Sequence, residues 1–481
     1  MNFNITRLIS CLFFTVVLIY SFSSCKKDKL LTNGGDLSFS TDTLKFDTVF
    51  TSLGNVTRSF KVYNTNNKRI KISQIRLEKG SSSPYRMNID GEATKDIRDV
   101  EIAANDSIYI FCSLTVDPTS GTSPFLVEDK VLVTLNENTR EVPLSAYGQD
   151  AHYIVDSVLS SQTWVNDKPY VIIHSALVDS AEVLTIQKGC RIYMHQDSKL
   201  YVNGTLKVFG TKTDSVIFQG DRLDRDYFGY KDYPGEWGGI LFLRGSQQSN
   251  LNYCVIKNAG NATDGFTPAA VNVLPPWVPL GGPIVEFNQC VIANSSTFGM
   301  IGYNTNIRAN NCLIHTCGLQ NVAILEGGDY EFNFCTIATY GGTGINHAQQ
   351  PSAVILNYRD VSLSEYVDNN LNASFTNCIF AGPLDDEVIF NKKGNTDYNV
   401  ALNNCMLKRV NSLPAGLVTT TNCLINPNAS FPDFNDYNKW DFRPKSSSAA
   451  KGAGVFMPSI IKDLDDKNRT NPPSIGAYEA L

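Results

Sequence analysis

The chain has 481 residues, enough for two folded domains that each bury a core of their own. Hydrophobic residues make up 42% and charged residues 18%, with a formal net charge of -6, a globular composition rich in Gly and Asn turns that leans all-β. No basic block of the kind that tracks phosphates occurs, which argues against nucleic acid as a partner.

The first residues speak to the compartment. Arg7 supplies a positive start, Leu8 to Tyr20 form an apolar run too short to span a bilayer, and Ser23-Ser24 place small residues before Cys25. This arrangement resembles a lipoprotein signal peptide, with Phe22 where Leu is usual. The resemblance implies that residues 1–24 are removed, that Cys25 is acylated, and that the membrane is reached through that lipid anchor. Lys26-Lys27-Asp28-Lys29 opens a solvated tether over residues 25–36. Ser-Cys-Lys-Lys-Asp is similar to lipoproteins of the Bacteroidota, which implies the outer membrane and leaves the periplasmic or cell-surface face open.

Residues 37–150 alternate apolar and polar side chains, as in Arg58-Ser59-Phe60-Lys61-Val62-Tyr63-Asn64 and Lys130-Val131-Leu132-Val133-Thr134-Leu135. Strict alternation buries one face of a strand and solvates the other, and about seven such strands predict a β-sandwich. The order of segments, ending in Glu141-Val142-Pro143-Leu144-Ser145-Ala146-Tyr147-Gly148, resembles Ig-like domains of the major-sperm-protein and Hydin type. That resemblance implies a spacer or docking module.

From residue 151 the texture changes. Val183 to Gln187, Lys199 to Gly204, Thr205 to Gly210 and Ser215 to Gly220 are short alternating strands between Gly and Asn turns. Seven later segments then align on cysteine without gaps, at Cys254, Cys290, Cys312, Cys335, Cys378, Cys405 and Cys423. Their spacings of 36, 22, 23, 43, 27 and 18 residues fit a coil of about 22, with 43 read as two coils and 36 as one coil carrying an insertion. Each cysteine and the aliphatic or aromatic residue two places on share parity, so both point into one core. The Asn one or two places before the cysteine tolerates a left-handed corner and can bond to its counterpart in the next coil about 4.8 Å away. Leucine-rich repeats share the period but need leucines at fixed offsets and a helical return, which these segments lack.

Ten cysteines remain beyond Cys11 and Cys25, and an even count in an exported chain ordinarily suggests disulfides. Seven of them at one strand position instead predict a structural ladder of small buried thiols. No paired CxxC with flanking histidines suggests a metal site, and no cofactor motif appears.

The opening strands, with Gly235-Glu236-Trp237-Gly238-Gly239-Ile240 after them, resemble the first coils of right-handed parallel β-helix proteins of the pectate-lyase-like superfold found in Bacteroidota. Asp441-Phe442-Arg443-Pro444 and Pro473-Ser474-Ile475-Gly476-Ala477-Tyr478-Glu479 are similar to that family's closing segment. The expected architecture is all-β: an Ig-like β-sandwich, a right-handed parallel β-helix over 151–440, and a closing segment over 441–481.

Such β-helices host lyases and hydrolases, which need a Lys or Arg base beside carboxylate-held calcium, or carboxylates spaced to admit a water. The best acidic group, Asp385-Asp386-Glu387 followed by Lys392 and Lys393, reads more simply as a solvated turn, and His315 and His347 as structural residues. No catalytic residue is assigned. Two insertions carry the stronger signal: Asp221 to Trp237 holds Tyr227, Phe228, Tyr230, Tyr233 and Trp237 among charged residues, and Asn261 to Pro283 holds Phe266 and Trp277. Flat aromatic faces beside carboxylates and guanidinium groups suit sugar stacking or a protein hot spot, while the plainer reading has these loops cover the flank. The function expected is a non-catalytic outer-membrane lipoprotein that binds a polysaccharide or an outer-membrane protein partner. The alternatives are a carbohydrate-active enzyme and a structural spacer.

Overall fold

A computed structural model describes residues 29–480 apart from 52, 54–56, 119–123, 224–232, 262–263, 279–280, 342–344, 346–348 and 428–430. Cys25 and the signal segment lie outside the described residues, among which no helix is long and apolar enough to cross a membrane. The chain divides into two compact units, Met1–Asp150 and Ala151–Leu481.

In the first unit two five-stranded sheets bury a shared core. One holds Leu37–Phe39, Arg58–Asn64, Ser107–Leu114, Tyr85–Ile89 and Glu92–Thr94; the other holds Leu44–Phe50, Asn138–Gln149, Phe125–Leu135, Ile70–Leu77 and Asp96–Ile102. Alternation along Arg58–Asn64 is strict, with Phe60 and Val62 buried between half-buried Ser59, Lys61 and Tyr63, so the period-2 pattern places the core as expected. Among the described residues ten strands form where about seven were expected, because short edge strands such as Leu37–Phe39 and Glu92–Thr94 carry too few residues to show a period.

The second unit is a parallel β-helix: among the described residues 26 strands form one continuous sheet, each coil pairing with the next in parallel. Up to the last coil, which has strands on the second and third faces alone among the described residues, the coils present three faces in turn. The first contains Lys199–Val202, Gly239–Phe242 and Ala269–Val273. The second contains Thr205–Phe209, Ser249–Asn252, Val285–Asn288, Leu371–Thr376 and Tyr398–Asn403. The third contains Val216–Gly220, Cys254–Lys257, Val291–Ala293, Leu313–His315, Thr336–Ala338 and Ile379–Ala381. Phe298–Asn310 and Val322–Asn333 are long enough to cover the first face and bend into the second.

The cysteine repeats sit at the corner between the second and third faces. The residue just before each cysteine (Tyr253, Gln289, Asn311, Phe334, Asn377, Asn404, Asn422) is left-handed, with φ between 44° and 55°. The corner thus belongs to one position whatever side chain fills it, and the Asn one place further back is free for other work. Six of the cysteines are fully buried and Cys423, on the last coil, is half-buried. Their thiols are more than filler. From Cys290 onward each Sγ lies 3.2–3.5 Å from the carbonyl three residues before the preceding repeat's cysteine, so a small apolar group with one weak donor ties coil to coil. Burial pushes the thiols of Cys254 and Cys378 up, which keeps them neutral.

The 43-residue spacing is corrected by the register. Thr336 pairs directly with Ile379, so Cys335 and Cys378 stand on adjacent coils, and the surplus is an excursion that includes the hairpin Tyr358–Asp360 with Tyr366–Asp368. The 36-residue spacing is one coil, as expected.

The closing segment adds no coil. It lies along the third face, where Leu313, Ile379 and Met406 point outward and are covered by Phe442, Leu464, Ile475 and Tyr478, with Phe434 of the strand just before the segment beside them. The left-handed corner residues hold it in place: Asn377 exchanges hydrogen bonds with Val455, Asn404 donates to the Ala453 carbonyl, and Asn311 donates to the Lys462 carbonyl. Arg469 is buried, donates to Asn311 and Glu479, and stacks 3.7 Å from the Phe334 ring centre.

Candidate functional site

The second face is open outward, and its outward rows are polar. Because side chains alternate along a strand, residues four and six places before each cysteine share the outer side, and the parallel register stacks them. One row reads Asn306, Asp329, Asn372, Asn399; the next reads Glu286, Arg308, Glu331, Ser374, Ala401, Thr419. A third row, two places before the cysteine, holds Asn288, Asn310 and Asn333.

These rows are bonded along the stack. Asn333 donates to Asn310 at 3.0 Å and Asn310 to Asn288 at 2.9 Å; in the outer row Asn399 donates to Asn372 and Asn372 to Asp329, both at 2.9 Å. Arg308 pairs with Glu331 at 2.9 Å, and Glu331 also accepts from Asn333. The surface is hollowed into two adjoining clefts of about 500 Å³ and about 430 Å³ that share Arg308 and Glu331. Met457, Ser459 and Ile461 of the closing segment wall the second cleft. A floor of fixed amides and carboxylates can donate to and accept from a polyhydroxylated ligand at every coil.

The aromatic residues expected to bind divide differently. Tyr227, Phe228 and Tyr230 lie outside the described residues. Trp237 is corrected: it is fully buried in the core of the coil stack, where its indole N–H donates to the Lys257 carbonyl at 2.8 Å, so it is a wall residue. Tyr233 and Phe266 are exposed. Trp277 is 74% exposed and stacks on the Arg244 guanidinium 5.2 Å from its ring centre. The stretch from Asn261 to Pro283 is not one insertion, because Ala269–Val273 runs through it as a first-face strand. Phe266 therefore stands before that strand and Trp277 after it, on different edges of the coil.

The roots of the two aromatic loops meet on one turn. His195 Nδ1 bonds Asp221 at 2.6 Å, Asp197 accepts from Asn261, and Asp264 accepts from Lys199 at 2.8 Å and Tyr201 at 2.7 Å. The Asp221 hydrogen bond raises the His195 pKa. Burial works to raise Asp264, but the bonds from Lys199 and Tyr201 outweigh it and its pKa falls. Burial, with Asp264 beside it, pushes the Tyr201 phenol up, which makes it a hydrogen-bond donor and not a base.

The other groups considered for chemistry serve the fold. Asp386 accepts from the Val410 and Asn411 backbones. Glu387 is buried beneath the turn that was expected to be solvated, accepts from Leu384 and Ser352, and is pushed by burial up to about 7; only Asp385 fits the solvated reading. Lys393 pairs with Asp360 and stacks 4.3 Å from the Tyr358 ring centre. His315 is buried against Trp440 and Phe442, and burial lowers it to about 3. His347 lies outside the described residues.

No family model matches the sequence, and no curated protein matches it. Among solved structures, the mannuronan C-5 epimerase A-module of Azotobacter vinelandii is 10% identical over 58% of this chain and 60% of its own, with a TM-score of 0.28. The catalytic domain of a GH87 alpha-1,3-glucanase is 11% identical over 76% of this chain and 86% of its own, with a TM-score of 0.21. A protein of unknown function from Porphyromonas gingivalis is 17% identical over 27% of this chain and 61% of its own, with a TM-score of 0.18. The chain thus spans less than two thirds of the epimerase module and of the Porphyromonas protein.

Proposed function

We propose that this chain is a lipoprotein of the outer membrane, anchored through Cys25, whose right-handed β-helix holds a polysaccharide in the second-face groove without cleaving it. In this reading residues 1–24 are the signal peptide, 25–36 the tether, 37–150 an Ig-like spacer, 151–440 the β-helix and 441–481 its closing segment. The observation that carries it is the pair of adjoining clefts floored by stacked Asn, Asp, Glu and Arg side chains. Such a floor recognises hydroxyl groups, and its side chains are already fixed by one another, so a ligand orders little on binding. The exposed Tyr233, Phe266 and Trp277 supply stacking surfaces on other edges of the coil, for glycan or for an outer-membrane protein partner.

The experiment is affinity electrophoresis of the full chain in detergent against a panel of polysaccharides, with a reducing-end assay on the same mixtures. Retention without new reducing ends supports the proposal; retention of none removes it.

One observation favours an enzyme as the second reading. Asp329 and Glu331 are two apart on one strand, which sets their Cα atoms roughly 6.6 Å apart with both carboxylates on one outer face. A pair of carboxylates on one face is the basic equipment of a glycosidase. Against it, Glu331 is held by the Arg308 guanidinium and Asp329 by the Asn372 amide, so both carboxylates are already engaged in the floor's own network. New reducing ends that disappear in Asp329→Asn and Glu331→Gln would establish the enzyme.

A further inference from the structure

Resting on the groove reading, we propose that the ligand is a neutral, unbranched, extended glycan that lies along the coil axis with one ring over each coil. The first step is charge. At the clefts Arg308 is taken by Glu331 and Lys462 by Asp466, so both cations already face carboxylates. Glu286 and Asp329 instead meet amides, from Asn310 and Asn372. The floor therefore presents surplus negative charge, which repels a polyuronate or a sulfated chain and leaves hydroxyl recognition intact.

The second step is repeat length. Successive coils are about 4.8 Å apart, so the outer row of Asn306, Asp329, Asn372 and Asn399 offers an amide or carboxylate every 4.8 Å along the axis. An extended 1,4-linked pyranose chain advances by a closely similar step per ring. A chain laid along the axis brings one ring to each coil and so meets a polar side chain of the outer row at every ring, whereas one laid across the strands meets that row once. The stretch of the neighbouring row that lines the two clefts, from Glu286 to Thr419, crosses six coils, which sets the number of rings the clefts can serve. Between them Ser374 and Ala401 keep the far half of that row low, which leaves room for rings instead of filling it with long side chains.

The test is calorimetric titration of the full chain in detergent with cello-, manno- and xylo-oligosaccharides of two to eight rings, and with oligogalacturonates of the same lengths. The expected result is that one neutral series binds, gaining roughly threefold to tenfold per added ring, the worth of a net hydrogen bond, and levels off near six rings. Asn372→Ala and Asn399→Ala, both at exposed positions, should each lower that affinity while leaving the melting temperature unchanged. Asp329→Asn should let oligogalacturonate bind where the native chain does not. Tighter binding of oligogalacturonate by the native chain overturns the charge argument, and a plateau after two rings overturns the axial placement; in either case the groove still binds glycan. Binding of neither series, with polysaccharide retention also absent, removes the groove reading itself.

Discussion

The second and third faces of the β-helix are built from the same coils and share one inner wall, yet they have opposite fates. On the third face the outward residues Leu313, Ile379 and Met406 are apolar, and the closing segment covers them. On the second the outward residues are Asn, Asp, Glu, Arg and Ser, and the face stays open as a groove. The dividing line is a single left-handed residue per coil. Asparagines on either side of that line do different jobs: Asn310 and Asn333 join the ladder on the groove floor, while Asn311 and Asn377 grip the cover. A repeat therefore fixes the scaffold, and the residues at the outward parity of each strand decide whether a face is covered or stays open.

The sharpest way to break that contrast is to loosen the cover. Arg469→Ala removes a buried guanidinium that bonds Glu479 and Asn311, and leaves the Glu479 carboxylate without its cation. A loss of about 3 to 5 kcal/mol in urea unfolding is expected. Arg308→Ala on the open face breaks an ion pair whose two side chains are each 41% exposed, and should cost less than about 1 kcal/mol while weakening glycan binding.

Acid should act on the covered face as well. His315, under Trp440 and Phe442, has a folded pKa of about 3, below its unfolded value of 6.5. Its contribution is present above pH 6.5 and is lost as pH falls toward 3. Glu387 has the opposite sign: its folded value of about 7 exceeds 4.5, so its contribution is full below pH 4.5 and is lost as pH rises through 7. Melting temperature followed from pH 3 to 8 should show a shallow maximum between these limbs, and His315→Phe should flatten the acid limb.

The inner wall common to both faces gives a smaller effect. Cys335→Ala, in the fully buried part of the ladder, is expected to cost about 1 to 2 kcal/mol, against about 0.5 kcal/mol for Cys423→Ala on the half-buried last coil. Smallest of all, Trp277→Ala should leave stability within about 0.5 kcal/mol, because the ring is 74% exposed; any loss of binding then reports on a contact and not on the fold.

The coils were legible because cysteine and its partner two residues on repeat at one parity, and parity survives insertions. The coil count was less legible, since a 43-residue spacing looks the same whether it holds a second coil or an excursion such as the hairpin at Tyr358–Asp360 and Tyr366–Asp368. The groove was written in the same alignment, in the columns four and six places before each cysteine. It went unread because a polar outward residue is what any solvated strand carries, and only the register shows that the polar residues stack. Trp237 misled for the converse reason: in a loop dense with charged and aromatic residues, nothing in the sequence distinguishes the ring that turns inward.

The thiol column also bears on how the chain folds. Stacked coils bring neighbouring cysteines to about 4.8 Å, within reach of disulfide geometry, and before stacking the same thiols are exposed, so an oxidant met then can cross-link the wrong coils. Shielding comes only with coil formation, and a parallel stack with its long-range pairings forms slowly. If the chain is exported, its folding competes with oxidation. Cys423, half-buried on the last coil, marks the point at which protection remains incomplete after the stack has closed.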